Sequence, residues 1–157
     1  MRAPKIPIDT SPYWLPTLQE GEILSWEHVF GNDRPVELEI GSGKGLFLQN
    51  AAQGRPEHNF LGIEISRKYA GKTAERLAKH ALGHARIHCG DAGRFLARHV
   101  PSESLAAIHI YFPDPWWKAR HKKRRVFTAT LLADLVRTLV RGGDPFTSPP
   151  TLRSTSV

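Results

Sequence analysis

Cysteine is nearly absent: Cys89 is the single one in 157 residues. An internal disulfide is excluded, and an unpaired thiol suits a reducing compartment. Long apolar runs are missing too. No stretch approaches the ~18 residues of a membrane helix, and the opening MRAPKIPIDTSPYWLP lacks the apolar segment of a signal peptide, so a cytoplasmic location without membrane contact is expected. Acids are missing from one place in particular. Lys118, Arg120, Lys122, Lys123, Arg124 and Arg125 fall within eight residues that hold no Asp or Glu. Taking those six from the 22 Lys and Arg leaves 16 against 15 acids, so nearly all of the +7 net charge is one patch. A dense local patch implies a polyanionic partner at one place on the surface.

What is present is an average globular composition, 40% hydrophobic and 24% charged, of one domain's length. Four prolines in residues 1–20 suggest an extended arm, and a short helix is expected over 22–29. Strands are expected at 36–40, 59–65, 85–89 and 105–112, with helices at 46–52, 66–81, 92–99 and 126–140, the last ended by Gly142-Gly143. Strands alternating with helices, without strict polar alternation, predict an α/β doubly wound and mostly parallel sheet covered on both faces. Ligands of such sheets bind beyond the carboxyl ends of the strands, at 40, 65, 89 and 112.

All four ends carry polar groups. The first is Glu39-Ile40-Gly41-Ser42-Gly43-Lys44-Gly45, where glycines let the backbone turn and approach a ligand. It is not a P-loop, because Gly45 stands where Ser or Thr should follow Lys44, and Leu46 breaks the dinucleotide GxGxxG. A plain turn, or a GxG loop with an acid two residues before it, remains. Glu64 lies about 20 residues on, where an acid accepts from ribose hydroxyls in nucleotide-binding sheets; a solvated strand-end glutamate is the other reading. Asp91 lies just after the third strand and is equally suited to N-cap the next helix. At the fourth end, Pro113 and Pro115 flank Asp114 and restrict its backbone. Trp116 and Trp117 could stack on a base, though tryptophan more often packs in a core. Following a rigid Asp loop at a ligand edge, the basic run reads as a phosphate-contacting strip rather than a solvated face.

His80, His84, His88 and Cys89 are not expected to bind metal, because Gly83 interrupts the helix that would align them. No GxSxG elbow is present.

At these motifs the sequence resembles the bacterial-type tRNA (guanine-N7)-methyltransferases. The resemblance rests on LEIGSGKG at 38–45, FLGIEI at 60–65, HCGDA at 88–92 and above all YFPDPWWKARHKKRR at 111–125, and covers roughly 20–143. It implies a Rossmann-like sheet and transfer of a methyl group from S-adenosyl-L-methionine to N7 of a guanosine in tRNA. It further implies that Glu39, Gly41, Gly43, Glu64, Asp91 and Asp114 contact the cofactor and that Asp114 is catalytic. Lys118 would contact substrate, and Arg120, His121, Lys122, Lys123, Arg124 and Arg125 would bind RNA. A catalytically silent RNA-binding fragment, or a methyltransferase for another RNA, are the alternatives. No metal is implied, and the sequence sets no oligomeric state, a monomer being compatible with it.

Past Gly143 the likeness stops. The resemblance implies a further strand ending in Thr-Asp and later a Thr-x-x-Glu motif, and neither is found in 144–157. The expectation is an incomplete methyltransferase domain over 1–143 with an arm at 1–20, and an aberrant, disordered tail at 144–157 that leaves the fourth strand as an open edge. Codon degeneracy permits DPFTSPPT to arise by a one-base shift from a sequence encoding such a strand.

Overall fold

The computed structural model describes residues 3–112, 128–141 and 151–156, with only the backbone at 111–112 and 151–156. After a 3-10 turn at Ser11–Tyr13 the order is α1 (Trp26–Phe30), β1 (Val36–Ile40), α2 (Leu46–Gly54), β2 (Asn59–Glu64), α3 (Arg67–Lys79), β3 (Ala85–Cys89), α4 (Ala92–His99), β4 (Ala107–Phe112), α5 (Ala129–Thr138) and β5 (Thr151–Ser156). The strands form one sheet in the order β3-β2-β1-β4-β5, and every neighbouring pair is parallel. Chain order therefore runs outward from β1 to β3 and then jumps to β4 on β1's other side. The reversal puts the topological switch point, and the crevice that goes with it, between the carboxyl ends of β1 and β4.

The apolar pattern explains the layers. Val36, Leu38 and Ile40 of β1, Leu61 and Ile63 of β2, and Ile108 and Ile110 of β4 share one face, buried against Phe95 and Leu96 of α4 and Leu131 and Leu135 of α5. The opposite face carries Phe60, Ala85 and Ile87 under Leu48, Ala51 and Ala52 of α2 and Ala70, Ala74 and Leu77 of α3. Burial on both faces is what a parallel sheet requires. Helix starts are set by side-chain caps: Ser25 accepts from His28 N, Ser66 from Tyr69 N, Asp91 from Arg94 N and Thr128 from Leu131 N. Those caps also place two boundaries later than the spacing suggested, α1 starting at 26 rather than 22 and α5 at 129 rather than 126.

Two expectations are corrected at the sheet edges. The tail is not wholly without regular structure, because Thr151–Ser156 pairs with β4 from Ala107↔Thr151 to Phe112↔Ser156. The fourth strand is thus not an open edge. Left unpaired, its N–H and C=O groups would be a template for any extended segment, and the β-branched Thr151 and Thr155 favour that conformation. At the other edge, Leu15 N donates to Ile87 O at 2.9 Å and Trp14 bridges Ile87, so the arm lies along β3. Among the described residues no helix is long and apolar enough to cross a membrane.

Candidate functional site: the carboxyl edge of the sheet

The loop after β1 is anchored on three sides. Gly41 N and Ser42 N donate to Ile63 O of β2 at 2.8 and 3.2 Å, Thr73 Oγ1 of α3 donates to Gly43 O at 2.9 Å, and Arg76 Nε donates to Lys44 O at 3.0 Å. Gly41, Gly43 and Gly45 all have positive φ. Gly45, at φ 85°, is the tightest: a Cβ there would meet the Thr73 side chain at 2.8 Å. Glycine here is needed both for the left-handed backbone and for the close passage of α3.

Glu64 has a role that its position in sequence did not disclose. Its Oε2 accepts from Gly43 N at 2.7 Å and its Oε1 from Ser66 N at 3.1 Å, so the carboxylate fastens the glycine loop to the end of β2. Each oxygen keeps a second lone pair for a ligand hydroxyl. Asp91 is exposed and its Oδ1 caps α4 through Arg94 N at 2.8 Å, which is the capping role open to it from the sequence.

Glu39 differs from both. Only 2% exposed, it has an Oε2 with no hydrogen-bond partner among the described residues, and the buried Ser42 Oγ beside it in the loop likewise has none. Burial first, and the negative charge of Glu64 second, push its carboxyl up to about 8. An orphaned buried carboxylate at the end of a central strand is costly, and a bound N–H or ammonium group would relieve it. Asp114, Lys118, Arg120, His121, Lys122, Lys123, Arg124 and Arg125 lie outside the described residues, as do Trp116 and Trp117.

A family profile described as "putative methyltransferase" matches residues 33–148, a span from just before β1 to beyond α5. Among curated relatives, the tRNA (guanine-N(7)-)-methyltransferase of Rhodopirellula baltica is 44% identical over 149 residues, covering 91% of this chain and 55% of that protein. Its namesake in Aliivibrio fischeri is 41% identical, covering 78% of this chain and 51% of that protein. The chain belongs to the tRNA (guanine-N7)-methyltransferase family. It spans about half the length of the curated relatives it matches. The fold is shared with solved methyltransferases, among them a SAM-dependent methyltransferase from Geobacter sulfurreducens in complex with S-adenosyl-L-homocysteine: TM-score 0.51, 20% identity, covering 71% of this chain and 41% of that one.

A second polar cluster lies on the same face of β1 as Glu39, two residues nearer the start of the strand. Glu37, also 2% exposed, receives His109 Nε2 of β4 at 2.7 Å, His58 Nδ1 at 2.8 Å and Arg55 at 3.1 Å. Burial is the largest influence on its carboxyl and acts upward, yet the His109 hydrogen bond, the Arg55 and His109 charges and the His58 hydrogen bond outweigh it and hold the group below its usual range. Two glutamates two residues apart on one strand thus go in opposite directions, because one is held by three side chains and the other has an Oε2 without a partner among the described residues. The visible signal was the pair of acids in an otherwise apolar VELEI strand; their partners were not deducible. His84 and His80, by contrast, bond to Ala52 O at 2.7 Å and Gln53 Nε2 at 3.4 Å. Among the described residues no three His, Cys, Asp or Glu side chains group as metal ligands.

Proposed function

We propose that this chain uses S-adenosyl-L-methionine to methylate N7 of a guanosine in tRNA. The observation that carries the cofactor half of this reading is the unpartnered Glu39 Oε2 beside a glycine loop that Glu64 holds in place. Those residues fit the group: Glu39 suits the ammonium of its methionine moiety, Gly41 and Gly43 leave room for close backbone approach, and Glu64 and Asp91 present acceptors toward its nucleoside. When bound, the cofactor supplies a methyl group already activated on a sulfonium.

The remaining chemistry asks little of acid or base groups. Guanine N7 presents an unprotonated lone pair on the base's major-groove edge, so no proton has to leave before attack. Asp114 is assigned two tasks: accepting from guanine N–H groups to orient the base, and stabilising positive charge that develops on it. Orientation alone is worth on the order of 7 to 11 kcal/mol. Lys118 contacts the substrate, and Arg120, His121, Lys122, Lys123, Arg124 and Arg125 position phosphates without reading sequence. The relatives' names and the +7 charge concentrated before α5 support tRNA as the partner, and a cytoplasmic location follows from that partner and the reduced thiol.

The test is transfer of labelled methyl from S-adenosyl-L-methionine to an unmodified tRNA transcript, beside a transcript carrying 7-deazaguanosine throughout. Methylation of the first and none of the second is expected. Equal labelling of both would refute N7 as the acceptor, and RNA binding without labelling of either would leave the silent fragment.

A further inference from the structure

A cavity of about 690 Å³ opens beside the end of β3, away from the groups discussed so far. Its walls are Trp14 and residues 16–18 of the arm, Arg67 and Gly71 of α3, His88 and Cys89 of β3, and His99 of α4. It shares no lining residue with the glycine loop, Glu39, Glu64 or Asp91. The cause is visible in the backbone. The arm runs along β3 as far as Leu15 and then turns off at Pro16, reaching α4 where Leu24 N donates to His99 O at 2.8 Å. The space left between the diverging arm and the sheet edge has no other element to fill it among those described.

The chemistry of the lining is narrow. Among the described residues no carboxylate borders it, while Arg67, His88 and His99 do. Trp14, itself packed against Ala70, Ala74 and Ile87, brings an indole to the wall, and the His88 ring is held against Phe95 with centroids 4.6 Å apart. His99 Nδ1 is paired with Glu22 O at 2.7 Å, which leaves its Nε2 to face a ligand. Burial first, and His99 second, lower the His88 pKa, so that ring stays neutral and can give or take a hydrogen bond. A flat aromatic surface, polar ring edges and an exposed guanidinium with no opposing acid match a nucleotide: base on the indole, edge on the imidazoles, phosphate on Arg67. The volume lies within the ~300–1,000 Å³ usual for such ligands.

Position decides which nucleotide. β3 stands two strands from β1, roughly 10 Å at the usual strand spacing, on the side away from β4. The base to be methylated must approach at the β1–β4 switch point, so it is not the occupant. We propose that this cavity captures a second nucleotide of the substrate RNA, one that is not modified. The inference rests on the RNA reading above and adds a contact at the sheet edge on the far side of β1 from β4.

The test uses the full chain and two variants. Thr17→Trp fills the cavity from an exposed arm position, and Arg67→Ala removes the exposed cation. Affinity for a labelled, unmodified tRNA is read by anisotropy across salt concentrations, and S-adenosyl-L-methionine affinity by calorimetry. One lost stacked base predicts about five-fold or greater weakening for Thr17→Trp, and one lost phosphate contact a salt slope shallower by about 0.7–0.9 for Arg67→Ala, with cofactor affinity kept within about two-fold. RNA carrying 4-thiouridine should also crosslink to residues 14–18. Variants that bind RNA as wild type does, a joint loss of RNA and cofactor binding, or a wild type that binds no RNA would each overturn the proposal. Guanosine 5′-monophosphate that alters indole fluorescence only when Arg67 is present, with RNA affinity unchanged in both variants, would assign the cavity to a free nucleotide and overturn it as well. Methyl transfer is read separately, so its failure with these RNA effects intact counts against N7 methylation and not against the cavity.

Discussion

Replacing Glu39 by Gln gives the sharpest check on the site's electrostatics. The carboxyl's ordinary value is 4.5 and the fold raises it to about 8, by burial and by Glu64. The sign follows from linkage: a carboxyl whose folded pKa is raised contributes stability that is complete below pH 4.5 and is lost as pH rises toward 8. Integrating between pH 5 and pH 8 gives a loss on the order of 3 kcal/mol from this one group, with ~1.4 kcal/mol per pH unit through most of the range. Glutamine keeps the shape and never ionises. Urea unfolding at pH 5 and pH 8, for wild type and Glu39→Gln, therefore yields a double difference in which the other titrating groups largely cancel. The variant is expected to match wild type within about 1 kcal/mol at pH 5 and to exceed it by about 3 kcal/mol at pH 8. Adding S-adenosyl-L-methionine should reverse the order at pH 8, because a cation paired with Glu39 recovers what its ionisation cost and the amide cannot form that pair. Parallel pH profiles for the two proteins would show that Glu39 is not the strained group the geometry makes it.

Gly45→Ala should destabilise by about 1–3 kcal/mol in urea unfolding, since φ 85° and the 2.8 Å approach to Thr73 are both unfavourable for a side chain. The same change should weaken cofactor binding through the Thr73–Gly43 bond that fixes the loop. Glu37→Gln at pH 7 should cost about 3–5 kcal/mol, because Arg55 and two histidines lose a buried counter-charge. For wild type, the lowered Glu37 pKa means that this contribution is present above pH 4.5 and fades as pH falls below it, which acid unfolding of the pair will show. Asp114→Ala should abolish methyl transfer and leave tRNA affinity within a few fold, since phosphate contacts dominate binding; equal loss of both would remove the assigned role. If all six cations of 118–125 meet phosphates, the log-log salt slope of tRNA binding will be about −4 to −5, and a slope near zero would make the strip a solvated face.

What was legible in the sequence was local. NFLGIE is largely apolar on both sides, so its buried character could be read directly; VELEI sets Glu37 and Glu39 between Val36, Leu38 and Ile40, so the strand was legible but the burial of its acid-bearing face was not; Ser66 and Asp91 announce the helices they cap. The three glycines of 41–45 marked the turn. What was not legible depends on partners distant in the chain. Nothing near Glu64 says that it will accept from Gly43 N, 21 residues earlier, and nothing near Glu37 points to His109, 72 residues later. The tail misled for a related reason. Proline content argued against structure at 144–157, while the free edge of β4, which recruits 151–156, exists only once the sheet has formed.

The Glu37 cluster also has a bearing on synthesis. Its partners are made in order: Arg55 and His58 follow Glu37 by about twenty residues, His109 by 72. At about 5–20 residues per second, the ribosome delivers His109 some 4 to 14 seconds after Glu37. Until β4 is made β1 can pair only with β2, and its acid can meet only Arg55 and His58. The nascent chain can therefore hold β1, α2 and β2 together as a waiting half, with its central strand half paired, until β4 arrives. A stalled chain that exposes only β1 to β2 and one that also exposes β4 should differ in whether this acid is shielded from solvent, because His109 reaches Glu37 only from β4.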